Sequence, residues 1–398
     1  MNTVTIIGAG PAGLGIAILL QKLGVQYEIL EKNTVGSTFK RWPKQMKFIS
    51  PSFTTNYYGF TDLNAICPDT SPAFALHKTF PSGEEYAQYL QGVSEFYELN
   101  IKEHTNVISI NKNDDGTFLI TVDVTNSSNS KTTTKTIESK YVIWAVGEFS
   151  FPNTEVFEGS QYCIHNSTIS NWENFVPSNY KKKFQEYVVI GGYESGADAT
   201  YNLAKSHQKV TIFEKNEHFL EHITDPSKTL SPSTIERLES VTKNFRVLES
   251  SQVIKIEFDK KNNEYTIHYI KHVIDEFSDD IKEEYNTHKV STQPILATGF
   301  KNNTHLIRHL CSYDNKGSVD LNEEDEVKQT KNLYISGPQV RQGNILFCFI
   351  YKFRQRFAVI VEDICKKEGI NYQEVIDYYK EQNMYLKDLS CCEEECNC

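Results

Sequence analysis

The chain has 398 residues, 39% of them apolar and 12% aromatic, enough for two or three domains with real cores. Its formal net charge of −11 argues against a general binder of nucleic acid or of anionic membranes. A strand-like run, TVTII, begins at Thr3, and the longest apolar runs, GIAILL and ILFCFI, are far too short to cross a bilayer. The expectation is a soluble cytoplasmic protein with no secretory leader, no membrane insertion and mostly reduced thiols.

The first segment reads VTIIGAGPAGLGIAILLQKLGVQYEILEK. A short buried strand from Val4 to Ile7 runs into Gly8, Gly10 and Gly13, and an apolar helical run continues to Leu23. Gly24 stops the helix, VQYEILE is the next strand, and Glu31 closes it 23 residues after Gly8. The three glycines act differently. Gly8 makes the tight turn, Gly10 lets backbone approach a pyrophosphate, and Gly13 lets helix and strand pack closely. Free N–H groups at the helix start, around Pro11 and Ala12, favour the anion, and the acid accepts hydrogen bonds from a ribose. The basic run Lys40, Arg41, Lys44 and Lys47 reads as a solvated loop, and SGEEYAQYLQGVSEFYELN as a helix with a Ser82/Glu85 capping box. Next, TFLITVDV and TKTIESKYVIWAVG form a hairpin that runs into a small-residue turn at Ala145 and Gly147.

The opening pattern then recurs. YVVIGGYESGADATYNLAKSHQKVTIFEK carries the strand Tyr187–Ile190, then Gly191, Tyr193 and Gly196 at the triplet positions, and Glu214 again 23 residues after Gly191. Tyr193 replaces the middle glycine, which should crowd a pyrophosphate or force a different approach. KIEFDKKNNEYTIHYI is a second hairpin, and LATGF offers a second small-residue turn at Ala297, Thr298 and Gly299. YKFRQRFAVIVEDICKK sets Phe353, Phe357, Val361 and Ile364 on one helical docking face. The fold class expected is α/β, with two Rossmann-like, three-layer ββα dinucleotide-binding domains, the NAD(P) domain inserted into the FAD domain. The expected boundaries are 1–151 and 294–385 for the FAD domain, 152–293 for the insert, and 386–398 for a cysteine-rich tail. Two such folds in one chain suggest electrons passing between FAD in the first and NADPH or NADH in the second.

With these motifs in place, the chain resembles the flavin-containing monooxygenase superfamily, through IGAGPAGLG, the second motif ending in ESGADA, and both Ala-x-Gly turns. The resemblance implies that VGSTF places Thr38 and Phe39 near the flavin, and that Thr55 precedes a catalytic Asn56 facing flavin and nicotinamide. A narrower likeness, through FKRWPK, SPSFT, DTSPAF and IYKFRQRFAV, is to the CzcO-like oxidoreductases, described as accessories of CzcD-type cation-efflux transporters. Departures exist: FEGSQYCIH puts His165 six residues after Gly159 where the superfamily has four, and Gly337-Pro338 stands where a flavin-binding Gly-Asp is usual. The full FAD set is Gly8, Gly10, Pro11, Ala12, Gly13, Glu31, Lys32, Thr38, Phe39, Thr55, Asn56, Ala145 and Gly147. For the pyridine nucleotide it is Gly191, Ser195, Gly196, Glu214 and Lys215; Ala297, Thr298 and Gly299, at the second turn, are cofactor-binding where PILATGF is expected to resume the FAD domain.

The reaction expected is hydride transfer from NAD(P)H to FAD, followed by transfer to molecular oxygen and a soft small-molecule nucleophile. Its alternatives are delivery to a thiol, disulfide or metal acceptor, and a redox-sensing accessory role beside a cation-efflux transporter. No C-x-x-C occurs in the core, so a thioredoxin-reductase mechanism with two thiols beside the flavin is disfavoured. The tail SCCEEECNC places Cys391, Cys392, Cys396 and Cys398 among three glutamates. No folded element separates these thiols as in a structural zinc knuckle, so the expectation is a mobile segment that takes up a soft metal ion. The five scattered cysteines are expected to be small buried hydrophobes.

Overall fold

The computed structural model describes residues 2–54, 59, 61–126, 129–176, 184–217, 219, 229–274 and 281–390. In the helix Pro11–Lys22 every residue from Ala12 to Leu20 is buried, so it is covered on all sides rather than along one stripe. The strands Asn2–Ile7 and Tyr27–Leu30 cover one side. The helix Phe357–Glu368 covers another: a Cβ on Gly15 would stand 2.3 Å from the Phe357 ring. The docking face expected in that C-terminal segment is real. Phe353, Phe357, Val361 and Ile364 are all buried, although the segment breaks into a turn of helix, a 3₁₀ step at Arg354–Arg356 and a longer helix.

Contacts divide the chain into two units. One comprises Met1–Lys40, Ser50–Ser150 and Asn302–Cys398, the other Arg41–Ile49 and Phe151–Lys301. The first unit is built on a seven-stranded sheet. Its parallel part runs Ile101–Lys102, Tyr27–Leu30, Asn2–Ile7, Thr132–Trp144 and Leu333–Ile335. The 13-residue strand Thr132–Trp144 belongs to two arrangements. Its first half pairs antiparallel with Phe118–Thr125, and its second half lies parallel to Asn2–Ile7 and Leu333–Ile335. The capping box on the helix Gly83–Phe96 is present in both directions.

The second unit has three layers. A parallel sheet runs in the order Phe245–Leu248, Lys209–Phe213, Glu186–Ile190, Ile295–Leu296 and Ile164–His165. Strand alternation sends Tyr187 and Val189 to one face, where they pack with Ala197, Leu203 and Leu238 of two helices. Val188 and Ile190 go to the other face, against Val253, Ile256, Ile267 and Val290 of an antiparallel three-stranded sheet. That sheet contains the expected hairpin, closed at Asp259 and Glu264.

Two features correct the expected organisation. PILATGF does not resume the first domain: Ile295–Leu296 pairs in parallel with Val189–Ile190, inside the second sheet, and the first unit resumes at Asn302. A two-residue strand buried on both faces shows no alternation that could have assigned it. The basic loop Arg41–Ile49 belongs to the second unit, held by Gln45, which donates to Asn171 Oδ1 at 2.7 Å and accepts from Trp172 N at 3.0 Å. Its three cations, Arg41, Lys44 and Lys47, are exposed, as a solvated loop requires, and so is Lys40, which ends the preceding helix in the first unit.

The first unit holds a buried ion pair. Arg356, 1% exposed, donates from Nε and Nη2 to Asp325 at 2.9 Å each and from Nη1 to Leu386 O at 2.6 Å, tying down the C-terminal segment. Among the described residues no helix is long and apolar enough to cross a membrane.

Candidate functional site

The two units build the same turn twice. In the first, Gly8 N donates to Leu30 O at 2.8 Å and Ala145 N to Ile7 O at 3.0 Å; in the second, Gly191 N donates to Phe213 O at 2.9 Å and Ala297 N to Ile190 O at 2.8 Å. Gly8 and Gly191 have φ of 106° and 102°, which an L side chain rarely adopts. A Cβ on Gly8 would stand 2.6 Å from Ala145 O, and one on Gly191 2.5 Å from Ala297 O. Each crossing turn therefore presses its alanine carbonyl against the first glycine of its own unit. A Cβ on Gly13 or Gly196 would come within 1.9 or 1.8 Å of the Gly8 or Gly191 carbonyl, which is the close packing that the third glycine permits.

The two acids are held alike. Glu31 accepts from Ala9 N and Asn33 N, both at 2.8 Å, one on each carboxylate oxygen. Glu214 accepts from Gly192 N at 2.7 Å and Asn216 N at 2.9 Å in the same manner. A carboxylate offers about four acceptor positions, so each acid keeps capacity for ribose hydroxyls while its backbone bonds fix its direction. Lys32 and Lys215 follow their acids as exposed side chains, and Ser195 and Thr298 are half-buried beside the second turn. Thr298 Oγ1 donates to Asn153 O at 2.6 Å. Thr38 and Phe39 lie on the short helix Ser37–Lys40, with the Phe39 ring edge-on to Tyr86 at 4.9 Å.

A dinucleotide fits these turns. The middle position of the first is open: nothing lies within 4 Å of a Cβ built on Gly10, directly at the start of a 12-residue helix whose first N–H groups have no partner within the helix. In the second unit Tyr193 takes that place, with its side chain 44% exposed. Its neighbour Glu194, aligned with Pro11, turns its carboxylate to Ser231 N at 2.5 Å and Thr234 Oγ1 at 2.6 Å. Burial pushes the Glu194 carboxyl up.

Further residues hold the two turns, and the partners they take, unlike His165 itself, escape sequence reading. His165 is 3% exposed; Ser167 N donates to its Nδ1 at 3.3 Å, so the ring proton is on Nε2, which donates to Gly299 O at 3.0 Å. Burial holds it below its ordinary pKa. The ring thus clasps the second crossing turn as a neutral imidazole. The first crossing turn is clasped by Gln339, which donates to Gly147 O at 2.7 Å, and by Asn303 at 3.3 Å. Beside it Glu148 lies 3.8 Å from Arg341, and burial pushes the Glu148 carboxyl up. No spacing in the sequence announces partners this distant.

None of the five described cysteines forms a disulfide. Burial pushes the Cys163 and Cys311 thiols up to about 12 and Cys365 to about 11. Among the described residues no group of three or more His, Cys, Asp or Glu side chains is placed to hold a metal. Thr55, Asn56, Cys391, Cys392, Cys396 and Cys398 lie outside the described residues.

Two glycine turns, each with a glutamate held by backbone N–H groups after its second strand, are the arrangement of a flavoprotein oxidoreductase. Comparison with known proteins agrees. The pyridine nucleotide-disulphide oxidoreductase family matches residues 5–337. Bacilliredoxin reductase Bdr of Bacillus subtilis (strain 168) is 23% identical over 239 residues, 60% of this chain and 63% of that protein. An uncharacterized oxidoreductase, CzcO of Bacillus velezensis, is 27% identical over 211 residues, 52% of each chain. These matches span between half and two thirds of the relatives' length. The ornithine N-hydroxylase of Kutzneria sp. 744, solved with reduced FAD, NADP+ and L-ornithine, superposes with a TM-score of 0.68 at 14% identity, over 92% of this chain and 100% of that one. The chain belongs to the pyridine nucleotide-disulphide oxidoreductase family, whose members depend on FAD and NAD(P).

Proposed function

We propose that the chain is an NAD(P)H oxidoreductase of flavin-monooxygenase type, with FAD in the first cleft and NADH or NADPH in the second. Bound FAD supplies the two-electron chemistry, taking hydride from the nicotinamide and handing the electrons on. The protein's part is to bind and orient. Gly10 and the start of the helix Pro11–Lys22 take the FAD pyrophosphate, and Glu31 takes its adenosine ribose. Gly191, Ser195, Gly196 and Glu214 hold the pyridine nucleotide, and Asn56 orients the reacting rings.

One observation supports a diffusible acceptor. An internal dithiol relay needs a thiolate and a partner thiol; none of the five described cysteines forms a disulfide, and burial pushes Cys67, Cys163, Cys311 and Cys365 up, away from the thiolate form. Molecular oxygen, with a soft small-molecule nucleophile as the oxygenated substrate, is the acceptor proposed. A second reading, reduction of a small disulfide or a thiol-bound metal, draws on the likeness to bacilliredoxin reductase and on the four terminal cysteines. A link to a cation-efflux transporter belongs to that second reading.

The test is to mix the purified yellow protein with NADH or NADPH, first in air and then without oxygen. Many turnovers of oxygen uptake, with product formed from a soft nucleophile, support the oxygenase reading. Slow reoxidation in air with rapid reoxidation by a low-molecular-weight disulfide replaces it with the second. A flavin that neither donor bleaches overturns both.

A further inference from the structure

The antiparallel sheet of the second unit runs Ser251–Asp259, Glu264–Ile274, Ile281–Val290, and its two edges differ. Along Ser251–Asp259 a bulge falls between Val253 and Lys255, and the chain at Glu158 covers the strand, its carbonyl accepting from Ile256 N at 2.8 Å. Ile281–Val290 has neither protection. It pairs with Glu264–Ile274 in unbroken register over ten residues and contains no proline or glycine. Among the described residues its outer edge makes no backbone hydrogen bond to another segment. The Asn286 amide bonds Glu284 O at 3.2 Å, a local substitute for a neighbouring strand. The larger sheets blunt their edges. Ile101–Lys102, Ile164–His165, Phe245–Leu248 and Leu333–Ile335 have two to four residues, and Thr105–Lys112 bulges after Val107. A long, regular, open edge invites another strand.

The sequence of the strand, IKEEYNTHKV, says which strand fits. Opposite residues in an antiparallel ladder share a face and turn their N–H and C=O the same way, so a two-fold axis between two copies passes through a residue. With the axis at Asn286, Glu283 of each copy stands opposite Lys289 of the other, Glu284 opposite His288, and Tyr285 opposite Thr287. An axis at Tyr285 sets Lys282 against His288, one at Glu284 sets that glutamate against itself, and one at Thr287 joins no opposite charges. The groups concerned are open to solvent. The Glu283 and Lys289 side chains are 52% and 63% exposed, although each also has a partner in its own chain, His272 at 3.6 Å and Glu264 at 2.6 Å. Tyr285 is 71% exposed, and about Asn286 the two Tyr285 rings become diagonal neighbours on one face, within reach of each other. Exposed ion pairs add little affinity, but like charges directly opposite repel, so these charges select the register.

We propose that Ile281–Val290 is a dimerisation edge, pairing antiparallel with the same strand of a second copy about Asn286, so that two three-stranded sheets join into one. The backbone ladder and the paired Tyr285 rings supply the affinity. The Glu283–Lys289 and Glu284–His288 pairs supply the register. One strand per copy is a small contact, so the dimer is weak and reversible. The proposal is independent of the cofactors and of the reaction.

The experiment measures the dimer dissociation constant of the full chain by analytical ultracentrifugation, for wild type, Glu283→Lys, Lys289→Glu and the double variant carrying both. Wild type is expected to dimerise in the micromolar range. Each single reversal replaces two attracting pairs by two repelling ones and should weaken the dimer about tenfold or more. The double variant restores opposite charges and should return to within about threefold of wild type. Melting of dilute protein should match wild type throughout, because the altered side chains are exposed. A wild-type chain that stays monomeric at every concentration overturns the proposal and leaves the edge to a strand of another protein. A dimer that both single reversals leave intact also overturns it, since that dimer forms elsewhere. So does a loss that the double variant fails to restore, or one that falls in step with melting, since repulsion across the edge is then not its cause.

Discussion

Gly10 and Tyr193 occupy the same place in the two turns with nearly the same backbone, φ −91° and ψ −172° against φ −73° and ψ −174°. Any residue adopts these angles, so Gly10 is glycine for space, not for conformational freedom. Gly10→Ala should therefore fold normally. Alanine is worse than glycine as an N-cap by a few tenths to about 1 kcal/mol. The stiffer unfolded chain offsets this by about 0.4–1 kcal/mol, leaving a net change under about 1 kcal/mol. FAD binding should suffer far more. The new methyl fills the open space proposed for the pyrophosphate, and loss of one charge-assisted hydrogen bond, about 1.5–3 kcal/mol, should weaken Kd by tenfold to over a hundredfold. Gly13→Ala is the contrast: its Cβ would stand 1.9 Å from the Gly8 carbonyl, backbone against backbone, so it should cost more than about 3 kcal/mol. The assay is flavin-to-protein ratio beside a urea midpoint for each variant. A Gly10→Ala protein with wild-type FAD affinity, or a Gly13→Ala protein with wild-type stability, refutes the reasoning.

The second cleft should accept NADH with the higher kcat/KM, since Glu214 repels a 2′-phosphate; a strong NADPH preference that Lys215→Ala abolishes would overturn this. Because burial lowers the pKa of His165, the unfolded chain binds its proton more readily, and this contribution to stability is lost as pH falls below about 6.5. His165→Gln should flatten that part of the profile in urea titrations between about pH 8 and 5, and identical slopes would contradict the neutral clasp. Arg356→Met strands Asp325 in the core and should cost about 3–5 kcal/mol by chemical unfolding, while the double variant with Asp325→Asn recovers much of it. Truncation after Leu389 should abolish micromolar binding of zinc or cadmium to the reduced protein, and equal titrations of both forms would remove the metal role of Cys391, Cys392, Cys396 and Cys398.

What can be read from the chain is what local sterics dictate. The turns at Gly8 and Gly191 need positive φ and close approach, so their glycines and the equal interval to Glu31 and Glu214 stand out in one dimension. The helix start at Ser82 is legible for the same reason, since its capping partners are three residues apart. What cannot be read depends on partners far along the chain. The clasp of His165 on Gly299 spans 134 residues, and that of Gln339 on Gly147 spans 192. Gln45 binds Asn171 across 126 residues and carries a whole basic loop into the second unit. Tyr193 is recognisable as a departure, but only backbone angles show that it leaves the turn undistorted.

The long strand Thr132–Trp144 has a consequence for biosynthesis. Its second half waits for a neighbour, Leu333–Ile335, that leaves the ribosome about 190 residues later. At roughly 5–20 residues per second the interval is about 10–40 s, during which the hairpin and the second unit's own strands are already available. Val142, Ile143 and Trp144 then form an unpaired apolar edge, the kind of surface that templates association between nascent chains. Polysome crowding or a slowed ribosome should therefore lower the soluble yield of this protein more than a change in the stability of the finished fold would.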